Sequence, residues 1–230
     1  RLALSGELVP DAVNVQGGTV AEDIRPGIPL AERLGRIFTA LAGGVAAQLD
    51  IEVRGEITQH DVKVLELAAL KGVFTDVVES ATVSYVNAPL LAAERGVEVR
   101  LTTSSESPDW RNLITVRGAL ANGQTVSVSG TLSGPRHIEK IVALDGFDLE
   151  LEPTDHMMFL RYVDRPGVVG IVGRHLGDAG VDIAGMQVSR VTRGGLALLG
   201  MTVDSEIPAQ VAAAIIREVG AEYGRTVDLP

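Results

Sequence analysis

The stretch richest in chemistry runs from Tyr162 to Gly173, Tyr-Val-Asp-Arg-Pro-Gly-Val-Val-Gly-Ile-Val-Gly, an apolar strand that turns at proline and glycine into a glycine-rich helix. Gly167, Gly170 and Gly173 invite comparison with a dinucleotide fingerprint. They stand, however, at G-x-x-G-x-x-G, Pro166 precedes the first, and the following strand comes too soon for a nucleotide-binding crossover. A second chemistry suits the same residues. Pro166 sets the entry, Gly167 lets a ligand approach the backbone, and the free N–H groups of the first helical turn favour an anion such as a carboxylate. Asp164, before the turn, offers a countercharge for an ammonium, so the pair suits the two ends of an amino acid. The plainer alternative is that Asp164 caps the helix and Arg165 is solvated.

Other reactive residue types are sparse. There is no cysteine, which removes thiol nucleophiles, thiolate metal sites and cysteine-held clusters. His60, His137, His156 and His175 lack ligand spacing, so no metal is expected. No usable Ser/His/Asp order occurs. Trp110, the single tryptophan, reads as a loop anchor or an interface contact. Thirty acidic against twenty basic residues give a net charge of −10, with no dense run of Lys and Arg, which argues against nucleic acid and anionic membranes as partners. Neither an apolar run long enough to span a bilayer nor a leader pattern is visible, and the cytoplasm is the simplest address.

The elements that position these residues follow from periodicity. Residues 1–28 carry scattered turn formers, with one short strand expected at 12–15, and read as a connector. The chain opens on Arg1, which suggests a piece of a longer protein. From Pro29, Leu30, Leu34, Ile37, Phe38 and Leu41 recur at helical steps until Gly43-Gly44. Leu49, Ile51 and Val53 alternate with charged residues as a strand. Asp61 can cap a helix over 62–73 in which Val62, Leu65, Ala69 and Leu70 share one side, and a helix over 87–95 ends at Gly96. Period-two alternation then runs from Val97 through Leu132, with a two-residue hairpin turn at Asn122-Gly123, and an acidic strand covers 147–152. Strands at 156–163, 181–190, 197–204 and 225–229 enclose helices at 168–179 and 208–219 in the order βαββαβ, the ferredoxin-like split βαβ arrangement. The fold class is α+β in two domains, 45–152 and 153–230, after a connector at 1–44.

Asp164-Arg165-Pro166-Gly167 after a strand, with Ala179-Gly180-Val181-Asp182-Ile183 opening the next, resembles the ACT domain, a small-molecule-sensing module of amino-acid metabolism. The likeness extends upstream through Val9-Pro10-Asp11-Ala12-Val13-Asn14, Arg54-Gly55-Glu56, Val86-Asn87-Ala88-Pro89, Ser105-Glu106-Ser107 and Ser129-Gly130-Thr131-Leu132-Ser133-Gly134-Pro135. In that order they resemble the C-terminal half of long-type bacterial D-3-phosphoglycerate dehydrogenases, which place an intervening allosteric substrate-binding domain before an ACT domain.

The resemblance implies an NAD-dependent oxidoreductase of L-serine biosynthesis whose catalytic residues and nucleotide fold lie upstream, so that this chain carries neither catalytic residues nor a cofactor. It implies self-association through paired ACT domains, with L-serine or a related amino acid bound where they meet by Tyr162, Asp164, Pro166, Gly167 and Asp182. Relatives usually carry Asn at position 182, whose amide serves both ends of serine; Asp182 only accepts and repels a carboxylate. In the intervening domain the resemblance implies an anion, phosphate or 3-phosphoglycerate, at Lys140. Glu152 falls where relatives have Arg, and Arg136 can stand in for it. Two functions remain open: a serine-sensing regulatory region, or an assembly module without sensing, which Asp182 favours. A related ACT-bearing serine dehydratase would need cluster cysteines.

Overall fold

The computed structural model describes residues 20–78, 83–120 and 123–229. The strand expected at 12–15, the Val9–Asn14 segment and Asn122 of the hairpin turn lie outside these residues. The chain divides into two compact units, Arg1–Glu139 and Lys140–Pro230.

In the first unit, α1 (Gly27–Ala42) is followed by β1 (Gln48–Gly55), a 3-10 turn (Glu56–Gln59), α2 (Lys63–Thr75), α3 (Ala88–Glu94), β2 (Glu98–Ser104), β3 (Asn112–Ala119) and β4 (Thr125–Ser133). The four strands lie in the order β2-β1-β3-β4, with β1 parallel to β2 and antiparallel to β3. Strand β1 alternates as its sequence dictates: Leu49, Ile51 and Val53 are buried under the helices while Asp50, Glu52 and Arg54 stay half-exposed. Helix α1 ends at Gly43 in a left-handed conformation, its N–H returning to the Thr39 carbonyl. It packs in this unit, burying Leu34, Ile37 and Phe38 completely. Its partner α2 is buried almost all round, including Leu67, Ala68 and Phe74 as well as Leu65 and Ala69, so the single apolar side read from periodicity is too narrow. The N-cap position of α2 falls on Val62, which has no side-chain cap, rather than on Asp61, whose carboxylate accepts the N–H of Lys63 at 2.9 Å.

The boundary between units falls inside β5 (Ile138–Leu144). Strand β5 turns through Asp145-Gly146, both at positive φ, into β6 (Phe147–Leu151). Alternation upstream of residue 133 did not reveal β5. The Asp-Gly pair between apolar runs is the signal that could have found it. Strands β5 and β6 continue the strand order after β4, residues from Lys140 on count with the second unit, and β6 packs on the sheet that follows: Leu151 reaches Gly200, and the Gln187 side chain accepts the Glu150 N–H at 2.6 Å. The unit therefore begins well before residue 153.

That sheet consists of β7 (His156–Val163), β8 (Ile183–Arg190), β9 (Leu196–Val203) and β10 (Tyr223–Asp228), in the order β10-β7-β9-β8 and antiparallel throughout. Helices α4 (Val168–Asp178) and α5 (Ala209–Val219) complete the expected βαββαβ succession. One core joins Met158, Leu160, Leu199 and Met201 of the sheet to Val172 and Leu176 of α4 and Ile215 of α5. The protein is thus an α+β chain of two units.

Candidate functional site

Strand β7 delivers its last residues to an open cleft of about 400 Å³ at the start of α4. Tyr162, Asp164, Pro166 and Gly167 line it, joined by Val188 and Arg190 from the end of β8. Gly167 adopts φ +94°, a conformation strained for any side chain, and a Cβ there would meet nothing within 4 Å. Glycine is thus required by the backbone rather than by crowding. Gly170 and Gly173 likewise face open space, so neither serves the close helix–strand packing that the last glycine of a dinucleotide fingerprint provides.

Asp164 does not cap α4. Among the described residues no side chain caps that helix, and the Asp164 carboxylate turns instead to the β8–β9 loop. Its Oδ2 accepts from Arg190 Nη1 at 2.9 Å and, more weakly, from the Gly194 N–H at 3.5 Å, while its own N–H donates to the Gly195 carbonyl at 2.8 Å. The Arg190 hydrogen bond is the main cause that holds the carboxyl below the usual carboxylate range. Tyr162 is buried, and burial foremost, with the Asp164 charge second, pushes its hydroxyl up against a smaller opposing pull from Arg190. The phenol therefore stays protonated near neutrality.

Arg165 is not left to solvent either. Its guanidinium donates to the Glu218 and Val219 carbonyls at 3.1 and 3.2 Å, satisfying the C-terminal end of α5 and pinning the loop that carries Pro166 and Gly167. Arg190 was the residue missed by sequence reading. It lies 26 residues from Asp164, and only the antiparallel path of β8 and β9 beside β7 brings the two together.

Asp182 stands apart. It is exposed just before β8, where its Oδ1 accepts the Ile183 N–H at 2.9 Å. At about 3.4 Å per residue, the extended strand carries the far end of β8, and Arg190 with it, some 20 Å or more away. Within one chain, then, four of the five expected effector residues meet and Asp182 does not.

Neither of the two basic residues expected to hold an anion lines the cleft at α4. Arg136 is exposed in the turn after β4, in the first unit. Lys140, in the second, gives its ammonium to Glu150 at 3.0 Å across the β5–β6 hairpin, which matches its charge internally. A larger cleft of about 800 Å³ lies in the first unit. Glu56, Thr131, Gly134 and Pro135, all from segments that carried the family resemblance, line it with Arg111 and His60. Within it Arg111 pairs with Glu56 at 2.8 Å and His60 faces Asp23 at 3.5 Å.

Comparison with known proteins bears on the whole chain. Residues 23–145 match the D-3-phosphoglycerate dehydrogenase intervening domain. The D-3-phosphoglycerate dehydrogenase of Mycobacterium leprae is 44% identical over 100% of this chain and 43% of its own length. Those of a Synechocystis strain and of Bacillus subtilis are 32% and 30% identical, over 100% and 96% of this chain and 41% and 42% of theirs. The chain thus spans under half the length of the relatives it matches, and by its intervening domain it belongs to the D-3-phosphoglycerate dehydrogenase family.

Proposed function

We propose that this chain is the regulatory and assembly region of an NAD-dependent D-3-phosphoglycerate dehydrogenase of serine biosynthesis, and that its ferredoxin-like unit is an ACT domain sensing L-serine or a close relative. The observation that carries the reading is the open cleft at the start of α4, where Gly167 exposes backbone and Asp164 holds a negative charge beside it. A carboxylate is favoured at the first-turn N–H groups of α4 and an ammonium at Asp164. NAD belongs, in this reading, to the part of the relatives that this chain does not span. The described residues do not suit it, since their glycine-rich turn feeds an antiparallel sheet and its glycines face open space.

Self-association completes the site. Strand β8 stands at the end of the strand order, with ladder groups available to a second copy. Antiparallel pairing of β8 with its two-fold mate about Met186 and Gln187 would carry Asp182 of one copy toward Arg190 of the other. This accounts for Asp182 lying far from the cleft in a single chain. An anion such as phosphate or 3-phosphoglycerate at Lys140 and Arg136 remains part of the proposal, and has to compete with Glu150 for Lys140. The cytoplasm fits this metabolic role, and no helix among the described residues is long and apolar enough to cross a membrane.

Calorimetric titration of L-serine into the chain tests the sensing reading. Saturable binding in the parent that is lost in Asp164→Ala is expected. No heat at millimolar serine would leave the assembly module without sensing.

A further inference from the structure

Resting on the amino-acid reading of the α4 cleft, we propose that Arg190 is its specificity-determining residue: the guanidinium binds the α-carboxylate of the ligand while the second oxygen of Asp164 binds its ammonium, so that the cleft selects zwitterions over simple amines.

The geometry divides the labour between two charged side chains. Asp164 Oδ2 is engaged twice, by Arg190 Nη1 and by the Gly194 N–H, whereas Oδ1 takes part in neither bond. An ammonium arriving in the cleft therefore finds an anionic oxygen without displacing Arg190. The guanidinium is a planar fork with five N–H donors, of which this pair uses one. Its side chain is 55% exposed, against 16% for Asp164, so the outer edge of the fork stays accessible on the cleft side. The first-turn N–H groups of α4 lie on the same cleft and add partial positive charge there.

Charge logic then fixes the ligand class. The Arg190–Asp164 pair is neutral as a whole but polarised, and a lone cation attracted to Asp164 also meets the repulsion of Arg190. A lone anion suffers the reverse. A free amino acid, with its two charges about one residue's length apart, matches both poles at once and gains two charge-assisted hydrogen bonds. Arg165, which also lines the cleft, gives its Nη2 to the Glu218 and Val219 carbonyls at the end of α5.

The test is an NMR titration, readable to millimolar affinities, of L-serine and of ethanolamine, its carboxylate-free counterpart, into the parent chain, Arg190→Gln and Arg190→Lys. The parent should prefer L-serine to ethanolamine by at least about tenfold. Arg190→Gln should erase that preference, losing serine affinity while ethanolamine binds as well or better, because Asp164 has lost its competing cation. Arg190→Lys should keep the preference. Retention of the full preference in Arg190→Gln overturns the assignment, as does an equal loss of both ligands, which would mark Arg190 as a structural tether of the loop. If the parent binds no serine at all, the amino-acid reading of the cleft fails and takes this inference with it.

Discussion

Asp164 owes its low affinity for protons first to the Arg190 guanidinium at 2.9 Å, with the Gly194 N–H and the Arg193 charge adding to it. A carboxyl whose folded pKa lies below its unfolded value contributes stability that is present above the unfolded pKa, near 4, and lost as pH falls through the folded one. Asp164→Asn removes that contribution. The parent should therefore melt higher than Asp164→Asn at pH 7, and the two melting curves should converge as the pH is taken well below 4. A gap that persists unchanged at pH 2 would show that the pair adds nothing through its charge. Residue-scale chemistry was only half legible in the sequence. That Tyr162, Asp164, Pro166 and Gly167 share a cleft follows from their adjacency at one strand-to-helix turn. That Asp164 faces Arg190 rather than the helix, and that Arg165 closes the end of α5, depends on partners 26 and 53 residues away, which no local pattern encodes.

At the scale of elements, α1 and α2 meet through two glycines that face each other's backbone. A Cβ on Gly35 would stand 2.1 Å from the Ala69 carbonyl oxygen, and one on Gly72 would stand 1.9 Å from that of Glu32. Glycine within a helix costs roughly 1 kcal/mol relative to alanine, so close packing of the two helices must more than offset that cost. Alanine at an open helical position would stabilise. Here the clash is with backbone, which cannot swing aside, and Gly72→Ala should destabilise the chain by at least about 2 kcal/mol despite its better helix propensity. Urea unfolding of the parent and Gly72→Ala checks this, and a midpoint that rises would contradict the crossing. The purpose of Gly35 and Gly72 appears only when the second helix is in place.

At the scale of the whole molecule, an exposed β8 edge predicts an assembly. Light scattering at about 50 µM should return at least twice the 24.2 kDa mass of one chain, since edge ladders left open tend to find a partner. A strict monomer at that concentration would remove the pairing through which Asp182 reaches a second copy's cleft. The amino-acid sequence by itself determined the α+β class, the βαββαβ succession of the second unit, nearly every helix and strand, and the turn that carries the cleft. These are local properties, written in apolar periods of two and of about 3.6 residues and in glycine and proline punctuation. Tertiary structure alone decided three further things: where the units part, which charges are paired, and which expected site residues meet. Residues of the β5–β6 hairpin from Lys140 on count with the second unit, where β6 meets β8 and β9 in contacts between segments distant in sequence. Lys140 is neutralised because antiparallel pairing of β5 and β6 sets it beside Glu150. Asp182 is parted from Tyr162 and Asp164 because β8 is extended, and a strand that brings its last residue to a site must carry its first residue away.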